Sequence, residues 1–152
     1  MNIKLNIKKS YFNEVYLPYL NNTERFTVFY GGAGSGKSVF VCQKLILKLL
    51  KYPKRTLLVI RKVSASLRDS IYQEFITHLT KFGLIDYCKV MGSSLTIYLP
   101  NESKIIFKGI DDPEKLKSIS GIDDIMIEEA TEITLDDFTQ LNLRLRSKAE
   151  NQ

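Results

Sequence analysis

Cysteine and histidine are scarce in this sequence: its 152 residues hold two cysteines, Cys42 and Cys88, and one histidine, His78. No CxxC spacing occurs, and three such residues scattered along the chain do not make the ligand set of a structural zinc site or a disulfide framework. Two buried thiols, and a surface or boundary histidine within a helical pattern, are expected instead. Long apolar runs are missing as well. The longest, residues 39–50, is broken by Gln43, Lys44 and Lys48, so nothing approaches the roughly 20 apolar residues that span a bilayer. Residues 1–10 alternate lysines and asparagines with isolated apolar residues and build no signal-peptide core. No internal repeat, low-complexity tract or linker interrupts the chain. One domain, or a piece of one, working in a cytoplasm and away from membranes is the expectation.

Hydrophobic residues at 44% and charged residues at 26% are those of a globular protein. The charge is unevenly spread. Residues 1–62 carry 12 Lys/Arg against 2 Asp/Glu, a net +10, whereas residues 63–152 carry 10 against 15, a net −5. Such a split suggests a basic face for an anionic partner and an acidic half able to hold metal; solvated helix-surface lysines are the plain alternative.

Periodicity gives an alternating α/β pattern. Residues 26–30 (FTVFY) read as a short buried strand and residues 56–60 (TLLVI) as a parallel-sheet strand. Between them Val39, Phe40, Cys42, Leu45, Ile46, Leu49 and Leu50 recur at helical spacing up to about Lys51, before Pro53. Together these predict a βαβ unit. Leu67, Ile71, Phe75, Leu79 and Phe82 predict a helix over 66–82 closed by Gly83. Residues 95–99 (LTIYL) and 104–108 (KIIFK) predict a β-hairpin, Asp112, Pro113 and Glu114 a short helical turn, residues 124–127 (DIMI) a third buried strand, and residues 135–145 a last helix capped by Thr134.

The chemistry lies in GGAGSGKS, which fits G-x-x-x-x-G-K-[ST] with Gly31, Gly32, Ala33, Gly34, Ser35, Gly36, Lys37 and Ser38. Backbone N–H groups that converge on a phosphate need conformations and approaches that side chains block, hence Gly32, Gly34 and Gly36. The helix that starts there adds its own N-terminal donors. Lys37 would reach the β and γ phosphates of a bound nucleotide, and the Ser38 hydroxyl would hold Mg²⁺. The strand 124–127 then delivers Glu128 and Glu129 at its C-terminal edge, where open α/β sheets bind ligands. Glu128 would serve the metal and Glu129 would orient and deprotonate the attacking water. The usual residue at the first of these places is aspartate, so Glu128 is a departure. A dinucleotide fold is excluded, because no GxGxxG with a ribose-binding acid follows.

GGAGSGKS, LLVIRKVSASLRDSIYQEF, GIDDIMIEEATEIT and FTQLNLRLR together resemble the large subunit of tailed-phage terminases, nearly end to end. The loop alone is common to many nucleotide hydrolases; its combination with RKxxxSLRDS, IEEAT and a closing RLR is specific. The resemblance implies an additional-strand P-loop ATPase, mainly parallel in its sheet and with a hairpin insertion, that drives double-stranded DNA into procapsids. It implies Gly31 to Ser38 as the phosphate loop, Glu128 as the metal-side acid and Glu129 as the catalytic glutamate. Phe12, Asn13 and Tyr16 occupy the place of the family's adenine-side residues. Arg61, Arg144 and Arg146 are candidates for an arginine finger, since Ser120 stands where relatives carry arginine before Gly121, with Lys117 the nearest base. The portal protein, the small terminase subunit and a homo-oligomeric ring are the implied partners, and the host cytoplasm, with transient residence at the procapsid portal, the implied location. The chain stops at Gln152 before the nuclease domain of such subunits, so residues 1–152 read as a terminase-like ATPase domain incomplete at its C-terminal end. The alternatives are a nucleotide-binding assembly module without turnover, or another P-loop ATPase such as a helicase. Neither an NKxD motif of GTPases nor the arginine-rich lid of nucleoside kinases is present.

Overall fold

The computed structural model describes residues 5, 7–111, 116 and 119–145. The α-helices bounded within the described residues are α1 (Lys37–Lys51), α2 (Gln73–Lys81) and α3 (Leu135–Asn142). Five strands form one mixed sheet: β1 (Thr56–Arg61), β2 (Lys89–Met91), β3 (Thr96–Tyr98), β4 (Lys104–Gly109) and β5 (Asp124–Ile127), in the order β2-β3-β4-β1-β5. β1 pairs in parallel with β4 and β5, while β2, β3 and β4 are antiparallel neighbours. No helix among the described residues is long and apolar enough to cross a membrane.

Alternation along the strands divides the interior into two layers. Leu57, Val59, Ile105, Phe107 and Met126 face α1 and α2, packing on Cys42, Ile46, Phe75 and Leu79. Leu58, Ile60, Ile106, Ile125 and Ile127 face the other way, onto Ile122 and Leu141 of α3. Burial on both faces explains why TLLVI has no polar alternation. Buried Asp124 ties the layers together, accepting from Lys48 of α1 and from Arg55 at 3.1 Å.

Several expectations need correction. Residues 26–30 form no strand: Val28 is 79% and Tyr30 92% exposed. No described strand lies beside them, and β-propensity gains nothing without a ladder partner. Phe29 packs edge-on to Phe40, and Phe26 lies against Phe138. The βαβ unit therefore lacks its first strand. The helix expected over 66–82 begins only at Gln73; before it come a 3-10 turn (Ser64–Ser66) and a π-type turn (Arg68–Tyr72) with a break at Ser70. The Ser70 hydroxyl donates to the Ser66 carbonyl and accepts from Arg61, so side-chain bonding replaces regular helix there. The helix end is as expected: Leu84 N–H bonds the Leu79 carbonyl and Gly83 N–H the Thr80 carbonyl, a Schellman closure. His78 is buried, not at the surface, because it lies on the helix face of Phe75 and Phe82; its Nε2 is 2.8 Å from Glu74 Oε1. Cys42 is buried and Cys88 half-buried, both free. The hairpin is present, and β2 adds a third antiparallel strand that its length of three residues conceals. The turn expected at Asp112, Pro113 and Glu114 lies outside the described residues.

Candidate functional site

Gly36 stands at the N-cap of α1 with φ 81° and ψ 13°, a left-handed conformation open to glycine at little cost. The chain thereby turns from the loop directly into the helix. The Lys37 ammonium folds back over the loop, donating to the Gly31 carbonyl at 2.9 Å, the Gly32 carbonyl at 2.8 Å and Ser35 Oγ at 3.0 Å. All three of its protons are held within the loop it belongs to, and an anion arriving there competes with neutral acceptors.

Ser38, one residue further, faces the sheet. Its hydroxyl donates to Glu128 Oε1 at 3.0 Å, joining residues 90 positions apart. The ladder delivers Glu128 to this place, since its N–H continues the parallel pairing by bonding the Ile60 carbonyl beyond the end of β5. Burial pushes the Glu128 carboxyl above the usual range, the Ser38 hydroxyl opposes this, the neighbouring Glu129 adds to it, and Arg61 and Lys37 lower it. Glu129 is exposed and adopts φ 54°, ψ 56°, which ends the strand and turns the chain into the Ala130–Glu132 turn. The Ser38 hydroxyl and Glu128 carboxylate form a hard oxygen pair of the kind that suits Mg²⁺.

Beyond this pair opens a cleft of about 320 Å³ lined by Ser38, Ser70, Gln73, Glu74, Thr77 and Glu128 among others. Ser70 and Glu74 are the residues that sequence reasoning missed. Both lie inside an apolar periodic segment, which the non-helical backbone at Ser70 interrupts. Arg61 reaches this cleft from the end of β1, donating to Ser70 Oγ at 2.9 Å. Arg144 lies just past α3, half-buried, and Arg146 is outside the described residues.

The N-terminal segment packs against the loop. Tyr16 donates its hydroxyl to the Ser35 carbonyl at 3.0 Å and stacks on Phe40 of α1, while Asn13 caps the turn Glu14–Tyr19. A methyl built on Gly36 would stand 3.8 Å from both Asn13 Nδ2 and Tyr16 Cε2, so these residues border the loop. Phe12 does not join them; it is 7% exposed and stacks on Phe82 in the core.

Comparison with known proteins bears on this arrangement. A family model described as phage terminase large subunit matches residues 23–152. The PBSX phage terminase large subunit of Bacillus subtilis (strain 168) is 41% identical over 135 residues, covering 88% of this chain and 31% of that protein. The terminase large subunit of Bacillus phage SPP1 is 36% identical over 93 residues, 60% of this chain and 22% of that protein. The chain thus spans less than a third of the length of these relatives. A match over most of its residues, including the loop and the acid-ending strand, places it: the chain belongs to the phage terminase large subunit family.

Proposed function

We propose that this chain is the ATP-binding and ATP-hydrolysing motor portion of a phage terminase large subunit, powering movement of double-stranded DNA into procapsids in the host cytoplasm. The observation that carries this is the 3.0 Å bond from Ser38 to Glu128, which joins the glycine loop and the acidic strand end in one site. On this reading residues 31–38 cradle the phosphates, with Lys37 leaving its loop carbonyls for the β and γ oxygens. Bound Mg²⁺, held by Ser38 and Glu128, would neutralise charge developing on those oxygens. Glu129 takes the proton of the attacking water. Asn13 and Tyr16 are proposed on the adenine side, and Arg61, bonded to Ser70 in the cleft lining, is a candidate for charge stabilisation in cis. The fold is proposed to be the additional-strand P-loop type, and the portal protein, small terminase subunit and further copies of the chain are the proposed partners.

Glu129→Gln should abolish ATP hydrolysis while leaving ATP affinity within about twofold, and Lys37→Ala should weaken affinity itself. Steady-state phosphate release beside equilibrium binding of a fluorescent ATP analogue reads both. Unchanged turnover in Glu129→Gln overturns the assignment.

A further inference from the structure

The antiparallel side of the sheet carries a surface that nucleotide chemistry leaves unused. β4 sends Ile105 and Phe107 into the first core, so Lys104, Ile106 and Lys108 take the other face. Register sets Tyr98 beside Lys104, and Lys89 beside Tyr98. A row Lys89, Tyr98, Lys104 therefore crosses this face, with Lys108 four residues along β4. Strand separation of about 4.8 Å and a rise of about 3.3 Å per residue put the backbone of Lys89 about 10 Å from Lys104, and that of Lys104 about 13 Å from Lys108.

Two features make this face available to an anion. β2, β3 and β4 contain no acid, although residues 63–152 carry 15 Asp/Glu against 10 Lys/Arg. Lys89, Lys104 and Lys108 pair with no carboxylate among the described residues, and neither do Lys8, Lys51 and Lys81 elsewhere, whereas Lys48, Lys54 and Lys62 each pair with one. Tyr98 is 39% exposed between two of these cations.

We propose that Lys89, Tyr98, Lys104 and Lys108 form a contact surface for the phosphate backbone of duplex DNA. This rests on the DNA-packaging reading and gives it a location other than the basic residues 1–62. Unpaired cations gain free energy when phosphates bind and condensed counterions leave the DNA. The Tyr98 hydroxyl suits a phosphate oxygen, and phosphate contacts position DNA without reading its sequence, as a translocating motor requires. A protein partner is a poorer fit, because lysine is depleted in protein–protein interfaces.

The test is anisotropy titration of a labelled duplex with the full chain between 50 and 200 mM salt. Three phosphate contacts contribute a slope of about −2.7 in log K against log salt, a loss of roughly 40-fold over that range. K89A/K104A/K108A should remove that contribution and each single variant about a third of it, a slope change of about 0.9. K8A/K51A/K81A, with the same change in net charge, should keep it, and binding of an ATP analogue should persist in both. Equal loss in both triple variants, or none in the first, overturns this surface and leaves the packaging reading standing. Absence of DNA binding by the unaltered chain overturns both. A change in sedimentation of K89A/K104A/K108A without a change in DNA affinity assigns the face to protein contact and also overturns it.

Discussion

Gly109 ends β4 where two loops meet, and its missing side chain is a steric requirement. A methyl group there would lie 2.2 Å from Asp111 Oδ1, 2.3 Å from Ser64 Oγ and 2.6 Å from the Ser64 backbone nitrogen. The Asp111 carboxylate also accepts from Ser64 N–H at 3.1 Å, so neither neighbour gives way without losing that bond. Gly109→Ala should cost about 1–3 kcal/mol, as overpacking does, read as a lower midpoint in urea. Gly36 differs: its methyl would meet only ordinary contacts, and the cost of Gly36→Ala is the left-handed backbone, about 1–2 kcal/mol. Spacing in the sequence singles out Gly36, because the phosphate-loop pattern names it. Nothing singles out Gly109, whose neighbours Ser64 and Asp111 come from different loops.

At the scale of elements, α3 shows a local signal joined to a distant one. Thr134 and Asp137 form a reciprocal capping box, legible as a threonine three residues before an acid. Asp137 also accepts from Lys62 at the end of β1, 2.9 Å away. The Lys62 ammonium, the Thr134 backbone N–H and the Thr134 hydroxyl together hold its carboxyl down at about 2. A carboxyl depressed on folding stabilises the protein above its unfolded value near 3.9, and that contribution is lost as pH falls through about 2. Asp137→Asn should therefore lower the thermal midpoint at pH 6 and shift it little near pH 2, in scans at both values. Thr134→Ala should cost about 1 kcal/mol. The buried Asp124 links α1, β1 and β5 through Lys48 and Arg55. Asp124→Asn leaves two cations facing a neutral group and should destabilise by about 3–5 kcal/mol in chemical denaturation. Strand 26–30 fails at this same scale: its residues suit a ladder, but ladder partners are supplied by other elements.

Across the whole molecule the two thiols report on packing. Burial raises Cys42 well above its usual range, with Glu74 and Glu128 adding to the shift, and burial takes Cys88 to about 11. Both should be thiols at pH 7.5 and react with a disulfide reagent far more slowly in the native chain than in denaturant, checked by absorbance of the released thiolate. Fast native labelling would show the first core to be open. Local chemistry determined much of this protein from sequence alone: the glycine-rich turn into α1, the apolar stripes of α1 and α3, the hairpin, the acid pair after a buried strand and the family they identify. These are legible because each depends on residues within a few positions of one another. Only the tertiary structure decided that the Ser38 hydroxyl bonds Glu128 directly, that Ser70 and Glu74 line the same cleft and that three lysines share one sheet face. Each of those depends on which strands are neighbours and in what register, and long-range burial sets that choice without a local pattern to record it.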